Sequence, residues 1–173
     1  LLGLSHGRTI ELSDTGYNEG RAVMRRHRLA ECFIVNGLGM DYASAHDEAC
    51  RWEHVMSEEV ANRLCEMLGT PVSTPYGTPI PHPDAPEASS LEDYGVDLLE
   101  AEQKGLGKAR FVLIDEYAQS DMDFLEAVDA AGIHPGATVD LSRDGEDYVV
   151  ASEGGKALHV PEKYAPSLRV SAL

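Results

Sequence analysis

Residues 46–60, HDEACRWEHVMSEEV, gather two histidines, one cysteine and several carboxylates into a stretch without glycine or proline. In a helix of 3.6 residues per turn, four of these side chains fall within an arc of about 100°: His46, Cys50, Glu53 and His54. Their face borders an apolar stripe that includes Ala49 and Trp52. Imidazole, thiolate and carboxylate together suit a first-row transition metal, whereas calcium and magnesium prefer oxygen ligands alone. The segment therefore predicts a helix with candidate metal ligands beside the core.

A pair of long helices is predicted around this segment. One extends from about residue 15 to residue 36, and the other from about residue 43 to residue 68. On the first helix His27 and Glu31 are four residues apart and share a face that flanks the apolar stripe. The two helices form an antiparallel pair whose apolar stripes need covering, and a second subunit would cover them.

Ordinary alternatives exist for each of these side chains. A His and Glu pair four residues apart is more often a solvated surface pair than a metal site, and a single cysteine is more often a small buried apolar residue. Spacing alone does not decide between these readings and a metal site.

The rest of the chain predicts short strands and a proline-rich connector. Residues 1–12 read as a hairpin around Ser5, His6 and Gly7, and residues 70–87 hold six of the nine prolines, which favours an extended connector. A short helical piece is expected within residues 89–107. From about residue 108, five segments read as strands and residues 121–133 as a helix, which indicates a small barrel.

Composition limits the class of protein. The chain is 43% hydrophobic and has no apolar run near the roughly 20 residues that span a bilayer, so no membrane partner is expected. Three cysteines without a secretory signal predict free thiols and a cytoplasmic location. The net charge of −16 argues against DNA binding by these residues alone. Because the sequence opens on LLGL without an initiator Met, we expect it to be the remainder of a longer protein.

Three stretches resemble one family of bacterial regulators: RHRLAE at residues 26–31, HDEACRWEHVMSEEV at residues 46–60 and STPYGTPIP at residues 73–81. They are similar to the diphtheria toxin repressor and iron-dependent regulator family. The resemblance implies an α+β protein with the wing of a winged helix (1–20), a helical metal-binding and dimerisation domain (21–87), a linker (88–107) and an SH3-like β-barrel domain (108–173). The family's N-terminal helix-turn-helix has no counterpart in this sequence.

The resemblance also implies two metal sites. One would use His27, Glu31 and His46, completed by Glu116 and Gln119 from the SH3-like domain. The other would use Cys50, Glu53 and His54, with a methionine from an N-terminal helix that this sequence does not contain. Without the resemblance, Glu116 and Gln119 read as an ordinary polar pair in a loop after a strand.

The expected function is Fe(II)-dependent repression of iron homeostasis genes, in which metal promotes the homodimer that binds operator DNA. Mn(II), Co(II), Ni(II) or Zn(II) are possible substitutes. Arg25, Arg26 and Arg28, with Arg21, are candidates for DNA-backbone contacts or for a solvated basic face. One alternative is a manganese-dependent regulator of the same family, although the thiolate of Cys50 favours softer metals. A metalloenzyme is a weaker alternative because the sequence has no HExxH motif and no general base outside the ligand set, so we expect no enzyme.

Overall fold

An antiparallel pair of short strands opens the chain. Strand β1 (Leu2–Leu4) pairs with β2 (Ile10–Leu12), Leu2 lying opposite Leu12. The computed structural model describes residues 2–4, 10–83 and 91–173. The predicted hairpin strands are therefore confirmed, while the predicted turn at Ser5, His6 and Gly7 lies outside the described residues.

Helix α1 (Asp14–Cys32) follows and continues as one π-helical turn, Phe33–Gly37. The Ser13 hydroxyl accepts a hydrogen bond from the Gly16 N–H at 3.1 Å, which caps the first turn. Leu29, Ala30 and Ile34 are fully buried. The predicted first helix is confirmed to within a few residues at each end.

The predicted second helix, residues 43–68, is wrong as a single element. Two helices occupy it, α2 (Ala45–Trp52) and α3 (Glu58–Met67). Ser57 has an extended backbone, with φ −75° and ψ 157°, and its side chain accepts a hydrogen bond from the Val60 N–H. A serine followed by two glutamates is a helix start signal, so a new helix begins here and α2 does not continue.

The C-terminal part is a six-stranded antiparallel sheet in the order β3-β8-β4-β5-β6-β7. Its strands are β3 (Val96–Asp97), β4 (Lys108–Ile114), β5 (Thr138–Asp144), β6 (Asp147–Ser152), β7 (Ala157–Val160) and β8 (Leu168–Ser171). The helices α4 (Leu98–Gln103), α5 (Glu116–Gln119) and α6 (Met122–Ala130) accompany it, with 3-10 turns at Leu91–Tyr94 and Glu162–Ser167. We call residues 96–171 the sheet domain. The α+β class, the five predicted strands and the predicted helix α6 are confirmed.

Strand β3 was not predicted, because two residues are too few to show a period. It pairs with β8 and leads into α4, so residues 96–103 join the sheet domain although they fall inside the expected linker, 88–107. Helix α4 matches the short helical piece that was expected there.

The proline-rich segment forms a turn where an extended connector was expected. Ser73 pairs with Pro79, and the hydroxyls of Thr74 and Thr78 are 2.8 Å apart. The Ile114 N–H on β4 donates to the Tyr76 carbonyl at 2.9 Å. At Gly77, with φ +89°, a Cβ would lie 2.1 Å from the Val112 carbonyl oxygen. This turn, residues 73–79, is therefore seated directly on β4.

One continuous core joins the helices to the sheet domain. It includes Ala30 and Ile34 from the helical part, the fully buried Tyr76 of the turn, and Phe111 and Val170 from the sheet. The Tyr76 hydroxyl donates to the Tyr42 carbonyl at 2.6 Å, which ties the turn to the helices. Within the described ranges, no helix is both long and apolar enough to cross a bilayer.

Candidate metal centre

Three side chains meet where α1 faces α2. The Nε2 atom of His27 is 2.8 Å from Oε1 of Glu31 and 3.2 Å from Nδ1 of His46. Nδ1 of His46 is in turn 3.1 Å from the same Glu31 oxygen. All three residues are buried, with 3%, 0% and 7% of their surfaces exposed for His27, Glu31 and His46. The predicted pairing of His27 and Glu31 with the second helical segment is therefore present as a compact, desolvated cluster.

Three buried side-chain oxygens have no hydrogen-bond partner among the described residues. They are Oε2 of Glu31, Oε1 of Gln119 and the Tyr42 hydroxyl. Gln119 uses its amide N–H₂ to donate to the Ile114 carbonyl at 2.6 Å, which fixes its side chain on α5. A buried polar atom without a partner costs about 1–3 kcal/mol, so a cation that accepts an electron pair from the Glu31 oxygen would relieve this cost within the cluster.

The second predicted set of ligands adjoins the first. Glu53 follows α2, and its Oε2 is 2.7 Å from Nδ1 of His27 while its Oε1 is 3.0 Å from Nε2 of His54. Sγ of Cys50 is 3.7 Å from Nε2 of His46. Ligand atoms of His27, His46 and Cys50 lie within 4.8 Å of one another. The structure thus brings members of both predicted sets together, whereas His54 points outward with 70% of its side chain exposed.

The hydrogen bonds of the Glu116 side chain go to Arg28. Nε of Arg28 donates to Oε1 of Glu116 at 3.1 Å, Nη2 of Arg28 contacts the same oxygen, and Nη1 of Arg28 donates to the Pro79 carbonyl. Burial would raise the pKa of Glu116, but the Arg28 charge outweighs it and holds this pKa below its ordinary value. Glu116 is therefore an ionised carboxylate paired with α1.

The pKa values of two candidate ligands depart from their usual range. Burial would lower the pKa of His27, but its hydrogen bond to Glu31 and the charges of Glu31 and Glu53 raise this pKa above the ordinary 6.5. Burial, followed by the charges of Glu53 and Asp47, raises the pKa of the Cys50 thiol. Both shifts favour the protonated form of the group, and a metal that binds there competes with the proton.

The arginines predicted to contact DNA, or to form a solvated face, have partners within the chain. Arg25 is 6% exposed and its Nη1 is 3.6 Å from Oε2 of Glu58. Arg26 donates to the Glu53 carbonyl at 2.8 Å and to Oε1 of Glu58 at 2.7 Å. Arg28 donates to Glu116 and to the Pro79 carbonyl. Arg21 donates to the His82 carbonyl at 2.8 Å. These contacts argue against the solvated face, and phosphate binding by these arginines stays a prediction.

The arginine contacts were not visible in the sequence. Arg28 and Glu116 are 88 residues apart, and no local pattern reports a contact at that separation. The available signal was the run of arginines in and directly before the RHRLAE motif, since a guanidinium that packs against the core requires an acceptor.

Chemically, the cluster offers imidazole nitrogen, carboxylate oxygen and, at its rim, a cysteine sulfur. This donor set fits a divalent first-row transition metal better than calcium or magnesium.

Two family models match most of the chain. Residues 13–82 match the family model described as iron dependent repressor, metal binding and dimerisation domain, and residues 93–172 match that of the diphtheria toxin repressor SH3 domain. The second match confirms the SH3-like prediction for the C-terminal domain.

Similar proteins include a diphtheria toxin repressor from Corynebacterium glutamicum, 36% identical over 180 positions, covering 98% of this chain and 75% of the relative. The iron-dependent repressor IdeR of Mycobacterium tuberculosis is 33% identical, with coverages of 98% and 76%. Among solved structures, a manganese-dependent transcriptional repressor in complex with manganese superposes with TM-score 0.78 at 26% identity, covering all of this chain and 78% of that one.

Proposed function

Because this chain belongs to the family of iron-dependent repressors that includes the diphtheria toxin repressor and IdeR, we propose that it is a transcriptional repressor controlled by a divalent transition metal. The observation that carries the proposal is the buried cluster of His27, Glu31 and His46, in which one carboxylate oxygen has no partner among the residues that the structure describes. Relatives with this domain pair are repressors by name and are not enzymes.

We assign two adjoining ligand sets to the protein. The first set is His27, Glu31 and His46, with Glu116 and Gln119 from the sheet domain; the second is Cys50, Glu53 and His54. Support for the first set comes from the mutual contacts of its helical members and from the unpartnered Gln119 oxygen. A bound divalent cation would supply positive charge that several carboxylates share. Glu116 would join this set by exchanging its contact with Arg28.

We propose Fe(II) as the physiological metal. The thiol of Cys50 beside His46 favours a softer cation than Mn(II), and the relative IdeR is named iron-dependent. A manganese-dependent regulator is the second candidate, since a similar solved structure is a manganese-dependent repressor holding manganese.

The proposed partners are a second copy of this chain and operator DNA. Residues 13–82 match a dimerisation domain, and α3 exposes apolar side chains, with Val60 49% and Met67 63% accessible. Coverage of these side chains by a second copy would bury apolar surface that a monomer leaves in water.

Titration with Co(II) tests the metal centre directly. We expect tight binding with ligand-field absorption, and a loss of at least tenfold in affinity in His27→Gln or His46→Gln. His159→Gln is the matched control, because this exposed histidine on β7 lies outside both ligand sets. Equal Co(II) affinity in all four proteins would contradict the metal centre.

The ligands from the sheet domain need their own variant. Glu116→Ala should weaken the first set while leaving the thiolate-to-cobalt charge-transfer band of Cys50 in place. Unchanged stoichiometry and affinity would remove Glu116 from the ligand set. The regulatory claim is tested by selecting from random duplex DNA with protein made from the complete gene, in Co(II) and in chelator. Selection of the same sequences, or of none, under both conditions would refute metal control.

A further inference from the structure

The carboxylate of Glu53 lies between the two proposed ligand sets. One oxygen, Oε2, is 2.7 Å from Nδ1 of His27, and the other, Oε1, is 3.0 Å from Nε2 of His54. The same His27 ring turns its other nitrogen, Nε2, toward Glu31 and His46. Glu53, which is assigned to the second set, therefore contacts the His27 ring through the nitrogen that faces away from Glu31 and His46.

We infer that Glu53 is a positioning residue for the first metal set, acting through His27. The inference rests on the proposed metal-dependent function. A histidine that binds a metal through one ring nitrogen usually donates the N–H of its other nitrogen to a carboxylate or carbonyl, which fixes the tautomer and the ring orientation. Oε2 of Glu53 is placed to accept from Nδ1–H of His27, and this hydrogen bond leaves Nε2 free to bind a cation.

The position of Glu53 is itself held by α1. Nε of Arg26 donates to the Glu53 carbonyl at 2.8 Å, and Nη1 of Arg26 donates to Oε1 of Glu58 at 2.7 Å. Arg26 therefore bridges both sides of the break between α2 and α3. Glu53 caps the C-terminal end of α2, where its backbone is still helical and its N–H donates to the Ala49 carbonyl at 3.0 Å. From this end of the helix its carboxylate reaches His27 on α1 and its neighbour His54.

Burial protects the hydrogen bond between His27 and Glu53 from competition by water. His27 is 3% exposed and the Glu53 side chain 16%, so water competes poorly for either partner. Among the described residues, Glu53 is the hydrogen-bond partner of Nδ1 of His27. If Glu53 is removed, the ring can rotate or carry its proton on Nε2, where it blocks the cation.

The test uses variants in which the second set is already disabled. In His54→Ala, Co(II) should bind the first set alone. Adding Glu53→Ala should lower this affinity by about 10- to 100-fold, the range found for outer partners of metal-binding histidines. Adding Glu53→Gln should lower it less than Glu53→Ala does, because the amide oxygen can still accept from Nδ1–H. The control is His54→Ala with Glu66→Ala, an exposed glutamate of α3, and it should match His54→Ala.

A spectroscopic readout separates positioning from a general structural effect. In Zn(II)-loaded His54→Ala, NMR of the imidazoles should show His27 protonated on Nδ1 with this proton shifted downfield by its hydrogen bond to Glu53, and the downfield shift should be lost with Glu53→Ala. Equal Co(II) affinities in His54→Ala with and without Glu53→Ala would overturn the role of Glu53 and leave the proposed function standing. Absence of Co(II) binding in both the wild type and His54→Ala would overturn the proposed function itself.

Discussion

At the scale of single residues, His27 is the most constrained side chain of the centre. Both of its ring nitrogens face carboxylates, Glu31 on one side and Glu53 on the other, at 2.8 and 2.7 Å. Without metal this environment favours the doubly protonated ring, and metal binding at Nε2 exchanges a proton for a cation. Metal affinity and proton affinity of this histidine are therefore opposed.

The raised pKa of His27 predicts a pH dependence of the metal-free protein. The pKa of His27 in the folded protein exceeds the 6.5 of the unfolded chain. Its contribution to the free energy of unfolding is therefore complete below about pH 6.5 and disappears as the pH rises through the pKa of the folded protein. We expect the free energy of unfolding, measured by urea titration in chelator, to fall over this window. His27→Gln should lack this part of the slope, and identical slopes in both proteins would contradict the prediction.

Cys50 is predicted to set the preference between metals. Its sulfur is 3.7 Å from His46, and Cys50→Asp replaces a soft ligand with a hard one. We expect relative affinity to shift from Fe(II) toward Mn(II) by about tenfold, or about 1.4 kcal/mol, as measured by competitive titration under anaerobic conditions. Cys65→Ser, in α3, should leave the ratio unchanged. A ratio that does not respond to Cys50→Asp would assign Cys50 to packing alone.

At the scale of elements, the regular spacing of apolar residues predicted helices and strands, whereas the position at which a helix is interrupted could not be predicted from the sequence. The spacing of apolar residues predicted α1, α6 and five strands, whereas the i, i+4 spacing of His27 and Glu31 marked them as candidate ligands without deciding between a metal site and a surface pair. The break after Glu53 was missed because Trp52 and Met56 continue the apolar stripe across it and both pack on the core. The pairing of Glu116 with Arg28 depends on tertiary structure, which no helical or strand period encodes.

The same break supplies a stability test with an internal control. Ser57 caps α3 by accepting from Val60 N–H, whereas Ser44 at the start of α2 makes no such bond. Ser57→Ala should lower the free energy of unfolding by about 1 kcal/mol. Ser44→Ala should change it by less than about 0.5 kcal/mol. Equal effects in urea titrations would mean that the cap does not hold α3 in place.

At the scale of the whole molecule, Arg28 joins three parts of the chain. It extends from α1 to Glu116 at the start of α5 and to the Pro79 carbonyl at the end of the turn at residues 73–79. Its side chain is 11% exposed and that of Glu116 32%, so the pair is partly shielded from water. The protein therefore has an ionic link between the helices and the sheet domain.

A double-mutant cycle measures the strength of this link. Arg28→Gln, Glu116→Gln and the double variant, unfolded in chelator, should give a coupling free energy of about 1 to 2 kcal/mol. The matched cycle is Arg63 and Glu66, whose side chains are 76% and 67% exposed, and it should give less than about 0.5 kcal/mol. Similar values in the two cycles would show that the Arg28 pair behaves as an ordinary surface ion pair.

The turn at residues 73–79 fixes how the proposed ligands of the sheet domain are presented to the helices. Because Tyr76 is buried in the shared core and Gly77 lies against Val112, the fold, and not the length of a flexible tether, would set the effective concentration of Glu116 and Gln119 at the proposed metal centre. The entropy of closing the chain between the two groups of proposed ligands would then be lost during folding and not during metal binding. A substitution at Gly77, which belongs to neither ligand set, would therefore weaken metal binding by moving apart ligands that remain chemically intact.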